Sequence, residues 1–310
     1  MFKTVYFGGG TPAMCPLEGM LAQIRPKLAP GAEFTVELHP RDVDAERLKM
    51  LAAGGVTRIS MGVQSLDDAI LADMGRGYTF ADAERAFMLV KEYFDNSGID
   101  LIVGYPGEER ALTPRHARLE KWNLRHCSAY SLILEEKSIL YRRYNGVRMR
   151  DHRAYPRLAD DDTVMNRLGI VASFLESLGL SRYEVSNYAA LGFECRHNSA
   201  VWQGEDYIGL GKGAHGRRGL TRSVDFLGED DAGETSEVSA RDDARERAFF
   251  SLRTRAGFDA EKWRMLENHG EIVRKLDGFV EEGLLARDAS RYSPTARGYE
   301  VCDSIIAAIL

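Results

Sequence analysis

Short runs rich in β-branched and aromatic residues alternate with amphipathic stretches of helical period through the first half of the chain. Lys3–Phe7 predicts a strand, and Leu17–Leu28 a helix that Pro26 kinks or ends. Phe34–Leu38 predicts the next strand, and Asp44–Ala53 a helix with an acidic N-cap and a Gly54-Gly55 stop. Arg58–Val63 reads as a third strand, followed by helical patterns at Asp67–Met74 and Phe80–Tyr93. Asp100–Val103 and His126–Leu132 add two strands with a helix, Thr113–Asn123, between them. Asp160–Leu178 then predicts a helix and Arg182–Val185 a sixth strand. Strands separated by helices predict right-handed βαβ units, hence an α/β fold on a curved parallel sheet.

The second half changes character. Residues 217–240 are rich in Gly, Asp, Glu, Ser and Thr and predict a linker or long loop, which divides the chain into 1–216, 217–240 and 241–310. In the last part, Gly283–Arg287 and Arg291–Thr295 flank a turn, and Ala296–Leu310 closes as a helix. Helices followed by a small hairpin give a winged-helix-like shape, but its charge argues against a nucleic-acid reader. From Arg241 onward there are 12 Lys and Arg against 13 Asp and Glu, so the basic footprint such a reader needs is missing. The whole chain of 310 residues carries a net charge of −6, which speaks against nucleic acid or an anionic membrane as the main partner. No apolar run approaches the roughly 20 residues of a membrane span, and no basic-then-apolar leader is present. Cys15, Cys127, Cys195 and Cys302 are scattered, with no C-x2-C or C-x3-C pair, a pattern suited to a reducing cytoplasm.

Polar residues stand where strands end, which is where α/β barrels place function. Gly8-Gly9-Gly10-Thr11 ends the first strand, Glu37 the second and Gln64 the third; Asp100 starts the fourth, and Tyr130 and Ser131 lie on the fifth. Alone, a glycine triplet is a tight turn, Arg76 a surface charge near a helix end, and Asp100 a strand-edge residue. On successive strand ends they read as a site. Glycine lets backbone groups approach a ligand closely. Glu37 and Gln64 suit an amino group and a carboxylate or ribose, Asp100 suits ribose hydroxyls, and Arg76 suits a carboxylate.

The order of motifs is similar to that of the coproporphyrinogen III oxidase-like branch of radical S-adenosylmethionine (radical SAM) proteins, and within it to HemW-type heme chaperones. The matching stretches are Tyr6–Pro12, Val36–Pro40, Arg58–Ser65, Met74–Arg76, Asp100–Gly107 and Ser128–Leu132. Tyr183–Ala189, His197–Trp202 and Gly209–His215 extend the likeness into the second half.

That resemblance implies a partial (β/α)6 barrel with a heme-associated extension, followed by a helical C-terminal domain. It implies S-adenosylmethionine held by Gly9, Gly10, Thr11, Glu37, Gln64, Arg76 and Asp100. In the heme chaperone branch a His-Asn-x-x-Tyr-Trp stretch is tied to heme binding; here it reads His197-Asn198-Ser199-Ala200-Val201-Trp202, with Val201 in the tyrosine position. His197 becomes the candidate heme-iron ligand, and His215 a second imidazole in a Gly-rich stretch; His116 and His269 are assigned to exposed helices. The implied partners are heme and a heme-accepting protein. The alternatives are an oxygen-independent coproporphyrinogen III oxidase of porphyrin biosynthesis and a cluster-free binding scaffold. The family also carries a Cys-x3-Cys-x2-Cys loop for a [4Fe–4S] cluster one βα unit before the Gly-Gly-Gly-Thr-Pro turn, and four scattered cysteines do not replace it. The corresponding expectation is an in-frame stretch of roughly 50 residues encoded upstream of Met1, or a truncated gene.

Overall fold

The computed structural model describes residues 1–108, 117–134, 139–142, 158–225 and 233–310. It divides into two compact units, the first Met1–Arg182 with Ser186–Glu194, the second Tyr183–Val185 with Cys195–Leu310.

The first unit is built on a seven-stranded sheet. Its strands are β1 (Phe2–Phe7), β2 (Leu28–Leu38), β3 (Arg58–Gln64), β4 (Ser97–Val103), β5 (His126–Ser131), β6 (Ser181–Arg182) and β7 (Asn187–Ala189), ordered β1-β2-β3-β4-β5-β7-β6. Neighbours from β1 to β5 pair in parallel, each reached through a helical crossover as the sequence predicts. The crossover helices are α1 (Leu17–Ile24), α2 (Ala45–Ala53), α3 (Asp68–Asp73) and α4 (Phe80–Tyr93), with α5 (Asp161–Ser177) after β5. Local chemistry sets their starts. Asp44 caps α2 by accepting from Arg47 N, and Thr79 with Asp82 forms a capping box on α4. Residues 113–116 of the helix expected at Thr113–Asn123 lie outside the described residues; Ala117–Trp122 form a 3₁₀ helix.

The sixth strand departs from expectation. It is two residues long, and β7 follows only four residues later, too short a connection for a parallel crossover. The sheet therefore finishes antiparallel, β7 against both β5 and β6.

Period-two alternation gives the sheet two unlike faces. Val36, Leu38, Ile59, Met61, Val63, Ile99, Leu101, Val103, Cys127 and Ala129 point to the helices and are buried in two apolar clusters. Trp122 completes this layer: its ring stacks on Phe80 and Phe87 at 5.4 and 5.0 Å, and its Nε1 donates to Glu84. The alternate positions Tyr6, Glu37, Arg58, Ser60, Gly62, Asp100, Ser128 and Tyr130 form the opposite, polar face.

The second unit begins with α6 (Arg196–Trp202). Residues expected to be linker instead hold most of an antiparallel sheet of β8 (Ala214–Arg218), β9 (Thr221–Asp225) and β10 (Glu234–Glu237), ordered β10-β9-β8. Ion pairs replace an apolar face there. Asp243 of α7 (Ala240–Phe250) accepts from Arg217 of β8, from Arg222 of β9 at 2.7 Å and from Arg247 at 2.8 Å. The remainder is β11 (Phe258–Asp259), α8 (His269–Glu281), the hairpin β12 (Leu285–Asp288) and β13 (Arg291–Pro294), α9 (Ala296–Glu300) and α10 (Cys302–Ile309). The single closing helix of the sequence reading is split at Val301, whose backbone (φ −113°, ψ 22°) leaves the helical region. Among the described residues no helix is long and apolar enough to cross a membrane.

Candidate functional site

The polar face of the sheet brings Glu37, Gln64 and Asp100 of β2 to β4 to the side where the Gly9-Gly10-Thr11 turn follows β1. Gly9 (φ +74°) and Gly10 (φ +55°) turn the chain after β1 through left-handed backbone, and a Cβ built on either meets nothing within 4 Å. That open cradle, with glycine required by φ, is what a close ligand needs. Thr11 starts the short 3₁₀ helix that follows, its carbonyl accepting from Met14 N.

Glu37 closes the turn from β2. One carboxylate oxygen accepts from Tyr6 OH at 2.7 Å and the other from Gly9 N at 3.1 Å. Burial pushes its pKa up; the Tyr6 hydroxyl pulls it back, nearby Asp100 pushes it further up, and Gly9 N–H and Arg58 oppose the rise.

Gln64 ends β3 at φ +66°, a strained backbone for a residue with a Cβ. The register slips between Gly62 and Gln64, a bulge that re-aims the side chain. Gly62 makes room for it, since a Cβ there would lie 2.7 Å from Gln64 Nε2. The Tyr78 hydroxyl secures the bulge at 2.9 Å from both the Gly62 and Val63 carbonyls, and burial raises its pKa to about 12. Gln64 Oε1 is buried with no hydrogen-bond partner among the described residues.

Arg76 follows α3 in a Gly75-Arg76-Gly77 turn, and its Nε is likewise buried with no partner among the described residues. Asp100, inside β4, accepts from Ser60 Oγ at 3.0 Å and from the Ser128 hydroxyl. Tyr130 sits at the centre, close enough to feel Asp100, Glu37 and Arg76; burial, then the two carboxylates, pushes its phenol up.

An open glycine cradle, two carboxylates, a buried amide oxygen and a buried guanidinium nitrogen fit a ligand that bears an amino-acid head and a ribose. Two orphaned buried polar atoms are the observation that favours one, because such atoms are costly unless something pairs with them. The described residues do not fit a [4Fe–4S] cluster. Cys15 is exposed, Cys127, Cys195 and Cys302 are buried, and no group of three or more His, Cys, Asp or Glu is placed to hold a metal. Burial keeps the Cys127 thiol protonated, the opposite of what a thiolate ligand requires.

His197 belongs to the second unit, half-buried on the first turn of α6. Trp202, at the other end of α6, donates to Glu184 Oε2 at 3.0 Å and lies under the Arg253 guanidinium, so it anchors the helix. His215 lies on β8 and, with Tyr207, Arg222, Glu234 and Ser236, lines a cavity of about 530 Å³. His269 is half-buried at the start of α8, with its Nε2 2.9 Å from Ala260 O, a correction to its expected exposure; His116 lies outside the described residues.

Comparison with known proteins agrees with both units. Residues 1–119 match the radical SAM superfamily and 238–301 the HemN C-terminal domain. The chain is 32% identical to the heme chaperone HemW of Bacillus subtilis over 99% of its own length and 85% of that protein's. It is 31% identical to heme chaperone HemW of Lactococcus lactis over 99% and 84%. The chain belongs to the HemW family. Among solved structures, it is similar to the coproporphyrinogen III oxidase HemN of Escherichia coli, a radical SAM enzyme, with a TM-score of 0.80 at 19% identity over 99% of this chain and 77% of that one. At that identity the likeness is one of fold, the half-barrel and helical C-terminal region described above.

The sequence reading of this HemW-family chain missed Tyr6, Arg58, Ser60 and Ser128 as parts of the site. Each lies on the same face as Glu37 and Asp100 but on a different strand, so only the register between strands places it there.

Proposed function

We propose that this chain is a heme chaperone that binds S-adenosylmethionine on the polar face of its half-barrel and heme through its second unit, for delivery to an acceptor protein. The observation that carries this reading is 31–32% identity to proteins named heme chaperones across 99% of the chain. It favours chaperone over decarboxylase, since the likeness to HemN concerns fold alone. The cytoplasm, where thiols stay reduced, suits its four cysteines, none of them in a disulfide.

When bound, S-adenosylmethionine supplies a sulfonium carrying an amino-acid head and a ribose. Gly9 and Gly10 admit its backbone-facing edge, Glu37 accepts from the ammonium, and Arg76 Nε meets the carboxylate. Gln64 Oε1 and Asp100 accept from the remaining N–H and O–H donors. His197 offers an imidazole nitrogen to heme iron.

Hemin titration of the whole chain tests the heme reading. The unmodified chain is expected to develop a low-spin, nitrogen-ligated spectrum. His197→Ala is expected to lose it, while His269→Ala keeps it. Equal spectra and affinity in His197→Ala and the unmodified chain would overturn the assignment of His197.

A further inference from the structure

Asp100 is held from both sides. Ser60 Oγ on β3 donates to Asp100 Oδ1 at 3.0 Å, and Ser128, its direct register partner on β5, flanks the same carboxyl group on the same face, where its hydroxyl favours the ionised form. Both serines lie on the polar face, Ser60 buried and Ser128 half-buried. The surroundings of Asp100 are otherwise poor in positive charge. Tyr6 on β1, Glu37 on β2 and Tyr130 on β5 all feel its charge, and none of them is a cation. The Cys127 thiol of β5 also feels its charge, from the far face. Arg58 on β3 is the cation that opposes this. Burial itself favours protonation.

We infer that Ser60 and Ser128 are positioning residues, which hold the Asp100 carboxylate ionised and aimed at a hydrogen-bond donor of the ligand. A carboxylate accepting two hydroxyl donors keeps lone pairs for a third, whereas a protonated carboxyl turns one oxygen into a competing donor. Two fixed hydroxyls also remove the freedom of the carboxylate to rotate before the ligand arrives. This rests on the ligand reading of the half-barrel.

Two measurements separate the inference from that reading. In protein labelled with ¹³C at the aspartate carboxyl, the resonance that disappears in Asp100→Asn reports its titration directly. Ser60→Ala and Ser128→Ala are each expected to raise that midpoint by about one pH unit, a tenfold gain in proton affinity, with Ser60→Thr and Ser128→Thr returning it. Calorimetric binding of S-adenosylmethionine is then expected to weaken on acidification, starting about one pH unit higher in the Ala variants. Circular dichroism confirms that each variant is folded. Unchanged midpoints in both Ala variants would overturn the inference, as would moved midpoints that leave the pH profile of binding where it was. Moved midpoints in a protein that binds no S-adenosylmethionine at any pH would leave Asp100 held as described and overturn the ligand reading instead.

Discussion

At Asp100, affinity for a ligand and stability of the fold pull in opposite directions. Burial raises its folded-state pKa above the ordinary carboxylate value despite the hydroxyls of Ser128 and Ser60 and the charge of Arg58. The sign follows from linkage: the folded chain binds the proton more tightly than the unfolded chain. The stabilisation this gives is complete below about pH 4, the unfolded value, and is lost as pH rises through the folded one. Asp100→Asn removes the ionised form, so its thermal midpoint is expected to exceed that of the unmodified chain at pH 7 and to converge with it towards pH 4. A variant less stable at pH 7 would mean the carboxylate is net favourable where it sits. The residues at strand ends were legible from sequence because a glycine triplet, a glutamate or a glutamine interrupts an apolar run. Ser60, Ser128 and Arg58 were not, because a polar residue within a strand shows its face only when the register with both neighbours is known.

The five parallel strands and α1 to α5 were readable because caps, glycine stops and apolar periods agree there, as at Asp44–Gly54 and Thr79–Tyr93. The sheet β8–β9–β10 hid inside an apparent linker. Its strands expose β10 entirely and half-expose β9, so they lack the apolar alternation that marks a strand. Charge holds them instead, with Asp243 accepting from Arg217, Arg222 and Arg247, while Glu246 also meets Arg217 and Arg222. Asp243→Ala would leave buried Arg217 with Glu246 alone, a loss of charge-assisted hydrogen bonds worth about 1.5–3 kcal/mol. We expect a clear drop in the denaturant midpoint of the transition reporting the second unit, with Glu261→Ala, which breaks the exposed Arg264 pair of the same unit, as a control that barely moves it. A midpoint shift of Asp243→Ala no larger than that control would show that the sheet does not depend on this network.

Over the whole molecule, family membership and metal chemistry must be kept apart. The chain belongs with radical SAM proteins, yet its four thiols are divided between the two units, Cys15 and Cys127 in the first, Cys195 and Cys302 in the second. Anaerobic reconstitution of this chain with iron and sulfide is expected to leave no stoichiometric cluster absorbance in the visible region, since a four-iron cluster needs three or four convergent thiolates. A stable four-iron cluster on these 310 residues would mean that the thiols converge in solution.

Opposite demands fall on adjacent residues of the sheet. Along β3 and β4 one position faces the helices and carries the fold, and the next faces the polar wall and carries the site. Selection on abundance and selection on activity therefore act on interleaved positions of the same strands. Met61 and Ile99 are expected to drift only among apolar residues of similar volume, while Ser60 and Asp100, one residue away from each, would answer to the proposed ligand. A saturation library over these two strands would show tolerance alternating residue by residue, and would swap phase when the assay is changed from protein level to ligand retention.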